Sequence, residues 1–307
     1  MSTYRIYWEF ARPFTLLMPA VGMIAGGIVA WGADPRHVSD WADGGAGVLL
    51  NIVLGALMAA VMNAGSNGLN QIYDLDIDRI NKPDRPLPSR RLTLREAWGF
   101  TAVSLVIGLI LAWTVNWQCF VLAAAALLLT ACYSVPPLRT KRWGIPANLT
   151  VAIPRGFLLP VAGWSTVKTA AVSEPWLLAV PLGLFILGAS STKDFSDIPG
   201  DRAGGCQTLP VRYGVRTTAL MIAPFFVFPF LLWGIFGAAS CVSAPASGMY
   251  ALSVLLPLIG AYIDFRILKN PEELSSGENH ISWKLIYLMA IFAYAGLALV
   301  YSWPRPA

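Results

Sequence analysis

Long runs without charge alternate along this chain with short charged segments. A helix needs roughly 20 apolar residues to cross the hydrocarbon of a bilayer. Pro13 to Gly32 has that length, and Ala46 to Tyr73 exceeds it by a turn or two. Ala97 to Leu138 is too long for one helix, and the polar "NWQ" at 116–118 predicts the turn between two. Thr217 to Ile263 divides in the same way at the Gly, Ser and Pro cluster between Gly237 and Gly248. Pro175 to Thr192 and Leu285 to Pro304 add one span each, and Trp143 to Val167, interrupted by Arg155, completes nine. The pattern predicts an all-α, polytopic membrane protein.

Composition agrees with the pattern. Of 307 residues, 56% are hydrophobic and only 13% charged, and the mean hydropathy is +0.59. A soluble domain of this length needs more polar surface than that. Twelve tryptophans and ten tyrosines suit the membrane–water interface. The first apolar run opens late, after Arg5, Glu9 and Arg12, and runs a full span, so it does not read as a cleavable signal peptide. Positive charge favours cytoplasmic loops. With the N-terminus inside, the inner segments hold every basic residue except Arg36, Lys168 and Arg305, which fall outside, and Arg155, which falls within a span. The second and sixth spans then run in the same direction, as a repeat of spans one to four by spans five to eight would require. The expected domain is a single one covering residues 1–307.

The charged segment after the second span, "DLDIDRINKPDR", is dense in acid for so apolar a chain. At 100° per residue, Asn63, Asn67, Asn70, Asp74 and Asp78 fall within about an 80° arc, one polar stripe running to the cytoplasmic end of the helix. Asp76 points away from it. Gly65 and Gly68 leave room for a close neighbour. Asn63 and Asn67 fit interhelical hydrogen bonding as well as ligand contact, whereas carboxylates at membrane depth are costly and mark function. A second set, Asp194, Asp197 and Asp201, follows the sixth span at helical spacing, with Pro199 and Gly200 predicting that the helix ends and leaves Asp201 in a loop. Both sets leave the membrane on one side, which predicts a metal site.

The metal expected there is Mg²⁺. Two histidines, His37 and His280, lie far apart, and Cys119, Cys132, Cys206 and Cys241 form no C-x-x-C pair, so zinc, haem and iron–sulfur ligation are poorly supplied. Magnesium takes carboxylates and substrate phosphate oxygens. Neither a Walker-type loop nor a G-x-G-x-x-G is present, so a nucleotide is not the obvious phosphate donor. An apolar substrate with a diphosphate head fits: its tail lies among the helices and its head at the acids. Nothing in the sequence calls for a nucleic acid or an obligatory protein partner.

These residues carry a resemblance. "NQIYDLDID" and "DFSDIPGD", with "NKPDRPLPSRRLT", "YSVPPLRTKR" and "GGCQTLPVRYG", closely resemble the UbiA-type intramembrane prenyltransferases, over nearly the whole chain. The resemblance implies spans packed around a central cavity, Mg²⁺ as cofactor, and a prenyl diphosphate as donor to a lipophilic acceptor. Asn70, Asp74 and Asp78 would ligand one part of the metal–diphosphate cluster, and Asp194, Asp197 and Asp201 the other; Asp74, Asp78, Asp194 and Asp197 are the expected catalytic set. Lys82 and Arg85, in the family's N-K-P-x-R-P element, and Lys193 are expected at the diphosphate, with ordinary loop charge as the alternative. "YSVPPLRTKR" departs from the compact Y-x-x-x-K spacing of some members, since Pro137 stands four after Tyr133, leaving the separate roles of Arg139 and Lys141 open. Arg155 calls for an anionic ligand or an ion pair. Tyr73, Tyr133, Trp164 and Phe195 could face an allylic cation or simply pack. Arg90 and Arg91 read as topology determinants. For the acceptor, the loop after the second span resembles members that prenylate a glyceryl phosphate lipid, while the later acidic loop also resembles those acting on quinone precursors or tetrapyrroles. A membrane terpene cyclase and a cation transporter are the rival functions.

The stripe makes a test. Asp→Asn at a ligand removes one charge, and a few kcal/mol of lost charge stabilisation slows a reaction roughly a hundredfold or more. Asp74→Asn, Asp78→Asn, Asp194→Asn and Asp197→Asn should each lose prenyl transfer on that scale at normal membrane levels, and Asp76→Asn far less. Initial rates at matched expression decide it; equal damage at Asp76 would end the helical-stripe reading.

Overall fold

The computed structural model describes residues 3–34, 44–275 and 280–303; Arg36, His37 and Arg305 lie outside the described residues. Among the described residues, nine helices are long and apolar enough to cross a membrane: Pro13–Gly32, Gly45–Tyr73, Leu94–Val115, Trp117–Ser134, Ile145–Ser165, Ser173–Lys193, Val215–Ala238, Ala246–Lys269 and Ile281–Ser302. The chain is an all-α, multi-pass integral membrane protein. Its outer faces expose large apolar side chains such as Val103, Ile110, Leu128, Phe228, Leu258 and Leu299, surface that only lipid would cover.

Local chemistry sets the ends of these helices. Thr93 opens the third span with a capping box: its hydroxyl accepts from the Glu96 amide, and the Glu96 carboxylate reaches back to the Thr93 amide. The "NWQ" turn shrinks to Asn116, whose side chain caps the fourth span by accepting from the Cys119 amide at 2.8 Å. Exposed Trp31, Trp113, Trp117, Trp143 and Trp303 stand at span ends, as interfacial rings should.

Consecutive spans pack side by side, and the first closes the ring by packing on the ninth as well as on the second. It also crosses the fifth, and glycines set that approach. A Cβ on Gly26 would stand 2.6 Å from the Pro160 carbonyl oxygen, and one on Gly163 would stand 2.7 Å from that of Met23. The fifth span meets the sixth through Gly156 and Gly183 in the same manner. Away from the aspartates, buried polar groups pin the loops. Lys168 Nζ donates to the Ala33 and Asp34 carbonyls at 2.9 Å each. Glu174 Oε1 accepts from the Ser243 amide and hydroxyl and from Tyr301 Oη.

Because backbone lies directly opposite, Gly26→Val and Gly163→Val have no side chain to displace. Each should destabilise the bundle by about 1–3 kcal/mol, read as a lower thermal midpoint in detergent, whereas Gly99→Val, with nothing within 4 Å, should leave it unchanged.

Candidate active site

The polar stripe on the second span divides into two functions. Its deeper members hold the 3₁₀ start of the first span, Pro13–Leu16, and the end of the helix before it: Asn63 Nδ2 donates to the Thr15 carbonyl at 3.0 Å, and Asn67 Nδ2 to the Ala11 carbonyl at 3.0 Å and to Thr15 Oγ1 at 2.8 Å. Asn63 and Asn67 are therefore interhelical bonds, and Gly65 and Gly68 lie close against Leu105 and Thr101 of the third span. Beyond Asn67 the stripe becomes a site. Asp74 interrupts the helix, with φ −99° and ψ 14°, and a short helix Leu75–Asn81 follows. The register survives the interruption, because the Asp74 amide still donates to Asn70 O at 2.9 Å and the Asp78 amide to Asp74 O at 2.8 Å. Asp74 and Asp78 are buried, while the Asp76 side chain is 90% exposed and pairs only with Arg79.

The second acidic set departs from expectation at Asp201. Pro199 and Gly200 do not end a helix; they lie in the first turn of a new one, Ile198–Ala203, with Asp197 at its N-cap. Proline is tolerated there because its missing N–H has no intrahelical partner to lose. Asp201 is thus helical and 1% exposed.

The two sets face each other across one mouth. Asn81 joins them: its Nδ2 donates to the Asp197 carbonyl at 2.9 Å and its Oδ1 accepts from the Gly200 amide at 2.8 Å. Lys82 Nζ donates to both Asp197 carboxylate oxygens at 2.7 Å. Arg85 Nη1 reaches both oxygens of Asp78 at 3.1 and 3.0 Å. The element after the fourth span supplies the third side. Arg139, in left-handed backbone at φ 34°, donates to Asp74 Oδ1 at 3.1 Å. The short 3₁₀ turn Thr140–Trp143 buries Lys141 and leaves Arg142 exposed. Lys141 Nζ donates to Asp74 Oδ2 at 2.8 Å and stands 3.2 Å from Asp201 Oδ1, so one ammonium bridges both acidic sets.

Burial and these cations compete at each carboxyl. Burial raises the pKa of Asp74 and of Asp197, but Lys141 and Arg139 at the first and Lys82 at the second outweigh it, and both lie below the usual carboxylate value. At Asp78 and Asp201 burial prevails over Arg85 and Lys141, and both lie above it. Asp194 is pushed up to about 7 by burial, against the opposing charge of Lys193. Asp74 lifts the Lys141 ammonium well above its ordinary value in spite of burial.

Among the described residues, no three of His, Cys, Asp and Glu are gathered as a ready metal site; the carboxylates face lysine and arginine instead. The donor set still fits a hard cation: oxygen ligands alone, with the buried Asp201 Oδ1 receiving no hydrogen bond. Beneath the mouth lies an open cavity of about 100 Å³. Its wall is mainly apolar, including Met23, Met58, Met62 and Leu122, and Asn63, Ser66, Thr130 and Arg155 are polar points on it.

The UbiA prenyltransferase family profile matches residues 23–278. The chain belongs to the UbiA prenyltransferase family. It is 31% identical over 268 residues to the digeranylgeranylglyceryl phosphate synthase of Methanopyrus kandleri, covering 84% of this chain and 90% of that protein. It is 27% identical over 249 residues to the homogentisate phytyltransferase of a Synechocystis species, covering 78% of this chain and 79% of that one. A UbiA homologue from Archaeoglobus fulgidus, solved bound to GPP and Mg²⁺, shares the fold at TM-score 0.73 and 21% identity, covering 97% of this chain and all of the other. This UbiA chain is thus an enzyme of prenyl transfer.

Within it, Asn70, Asp74, Asp78, Lys82, Arg85, Arg139, Lys141, Asp194, Asp197 and Asp201 gather at the mouth. Asn70 Nδ2 donates to Asp74 Oδ2 at 2.7 Å. Arg155 lies apart, on the cavity wall, and makes no ion pair among the described residues. The ring of Tyr133 has the Lys193 ammonium 5.6 Å from its centre. Trp164 and Phe195 are core, at 1% and 0% exposure, and Tyr73 packs edge-on against Trp98. Arg91 does more than set topology, since it pairs with Glu9 at 2.6 Å. Asn81 escaped the sequence reading although it opens the N-K-P-x-R-P element; its place beside Lys82 was the available signal. Asn81→Leu should keep side-chain volume, lose both cross-loop bonds, and lower prenyl transfer by about tenfold or more, with membrane insertion retained; initial rates and expression level check it.

Proposed function

We propose that this enzyme transfers the prenyl group of an allylic prenyl diphosphate to a lipophilic acceptor, with Mg²⁺ at the mouth and the mouth on the cytoplasmic side. The observation that carries this reading is the pair of acidic sets, each already matched to cations, directly over an apolar cavity. Asn70, Asp74, Asp78, Asp194, Asp197 and Asp201 would hold the metal. When bound, Mg²⁺ supplies Lewis-acid and electrostatic stabilisation of the charge that builds on the leaving diphosphate. Lys82, Arg85, Arg139 and Lys141, freed from their carboxylates, donate to the diphosphate oxygens. The cavity takes the tail and keeps water from the allylic carbon as its C–O bond breaks. The acceptor's nucleophile then bonds to that carbon and sheds a proton.

The Archaeoglobus fulgidus homologue with GPP and Mg²⁺ supports the donor and metal. The names of the relatives support a transferase over a cyclase, because each is named for a transfer or synthesis with an acceptor. The Methanopyrus kandleri relative favours a geranylgeranylglyceryl phosphate-type acceptor, in agreement with the loop after the second span. The Synechocystis relative favours an aromatic quinone precursor as the second reading. Basic residues concentrated in the loops at the mouth end support the cytoplasmic orientation.

Membranes containing the protein, given labelled geranylgeranyl diphosphate with glyceryl, aromatic and tetrapyrrole acceptors in turn, should form product with one acceptor class only in the presence of Mg²⁺. EDTA should abolish it and added Mg²⁺ restore it. Transfer that survives exhaustive chelation would overturn the metal reading, and release of a hydrocarbon without any acceptor would establish the cyclase.

A further inference from the structure

One cation near the site has no carboxylate to match it among the described residues. The mouth's other cations, Lys82, Arg85, Arg139 and Lys141, each pair with an aspartate. Arg155 pairs with none among the described residues; its side chain is exposed, and the space it faces is the cavity. Lys193 differs, since it stands over the ring of Tyr133 and next to the carboxyl of Asp194. An uncompensated guanidinium at membrane depth is costly, and in a ligand cavity it signals an anion that arrives with the ligand.

The backbone presents Arg155 to the cavity. Residues Ile153–Leu158 form a π-helical turn in the middle of the fifth span. Pro154 is the second residue of this turn, and Gly156 within it lies against Gly183 of the sixth span. A π turn widens a helix locally and is found at functional sites more often than elsewhere. Arg155 lies ten residues into the span, roughly 15 Å from its mouth end at the α-helical rise. That is deeper than the ion pairs that would be exchanged for a diphosphate.

We infer that Arg155 forms a second anion subsite, which holds a phosphate monoester or carboxylate carried by the acceptor. This rests on the prenyl-transfer reading and narrows it: the acceptor is an anionic lipophile, recognised by its charge. An acceptor whose nucleophile faces the donor's allylic carbon carries its anion on the cavity side of the diphosphate, and Arg155 lines that side. The metal and the four mouth cations answer the charge of the donor, so the two anions are bound by different groups and Arg155 sets the affinity of the acceptor alone.

The test uses the full-length protein in detergent or nanodiscs, with Arg155→Met and Arg155→Lys. Four acceptors are compared: geranylgeranylglyceryl phosphate, its phosphate-free alcohol, homogentisate and its methyl ester. Wild-type protein should prefer the charged member of a pair. Arg155→Met should raise the KM for that charged acceptor by roughly 30-fold or more, leave the donor KM within about twofold, and abolish the preference for charge. Arg155→Lys should recover part of the affinity. The Arg155→Met thermal midpoint should not fall, since the change removes an unmatched charge. A donor KM that rises as far as the acceptor KM, or a wild type that uses neutral and charged members equally, overturns the inference. If no acceptor gives product with wild-type protein, the prenyl-transfer reading fails instead. Binding of geranylgeranylglyceryl phosphate without donor or metal then judges Arg155 by itself: weakened binding in Arg155→Met sustains the subsite, and unchanged binding refutes it.

Discussion

A carboxylate held ionised at the margin of a bilayer requires a counter-charge, and the mouth of this protein is organised by that requirement. Asp74, Asp78 and Asp201 are buried, Asp197 is largely so, and each has a lysine or arginine within 3.2 Å. The cations come from the loops after the second and fourth spans, while the acids come from the loops after the second and sixth. Neutralising the acids therefore brings three loops together. Lys141 matters most in this arrangement because its ammonium answers Asp74 and Asp201 at once. Removing one partner from such a buried pair costs about 3–5 kcal/mol, so the folded mouth and the charge balance of the mouth are a single property.

Neutral staples complete the arrangement without adding charge. Asn81 offers an amide donor and an amide acceptor to backbone groups of the facing loop, and Gly200 lets that amide come close enough to use both. Deeper in the bundle the same kind of bond serves a different purpose, with Asn63 and Asn67 satisfying carbonyls where the first span begins irregularly. One helix face thus passes from structural amides to a reactive mouth within a few turns.

The spans were legible because apolar runs and their interruptions are local features, and the turn at Asn116 and the break near Gly237 lie where residue chemistry places them. The acidic stripe was legible for the same reason: helical spacing persists through the interruption at Asp74. What escaped depends on distant partners or on ambiguous residues. Pro199 can end a helix or begin one, and only the following turn decides. Asn81 acts on backbone 116 and 119 residues further along the chain. Lys141 stands at a spacing that looked wrong from Tyr133, but the left-handed turn at Arg139 and the 3₁₀ turn after it carry the ammonium inward.

The polar staples at the mouth and the glycine crossings of the fifth span are made by groups other than the side chains of the cavity wall. Residues such as Met58, Met62 and Leu122 line the space, and methionine in particular adapts its shape to a changed neighbour at little cost. A change of shape at the wall therefore leaves the charge balance above it untouched, because none of these side chains takes part in the ion pairs of the mouth. In evolutionary terms this is modularity within one chain: a charged mouth and an apolar chamber built from separate sets of residues.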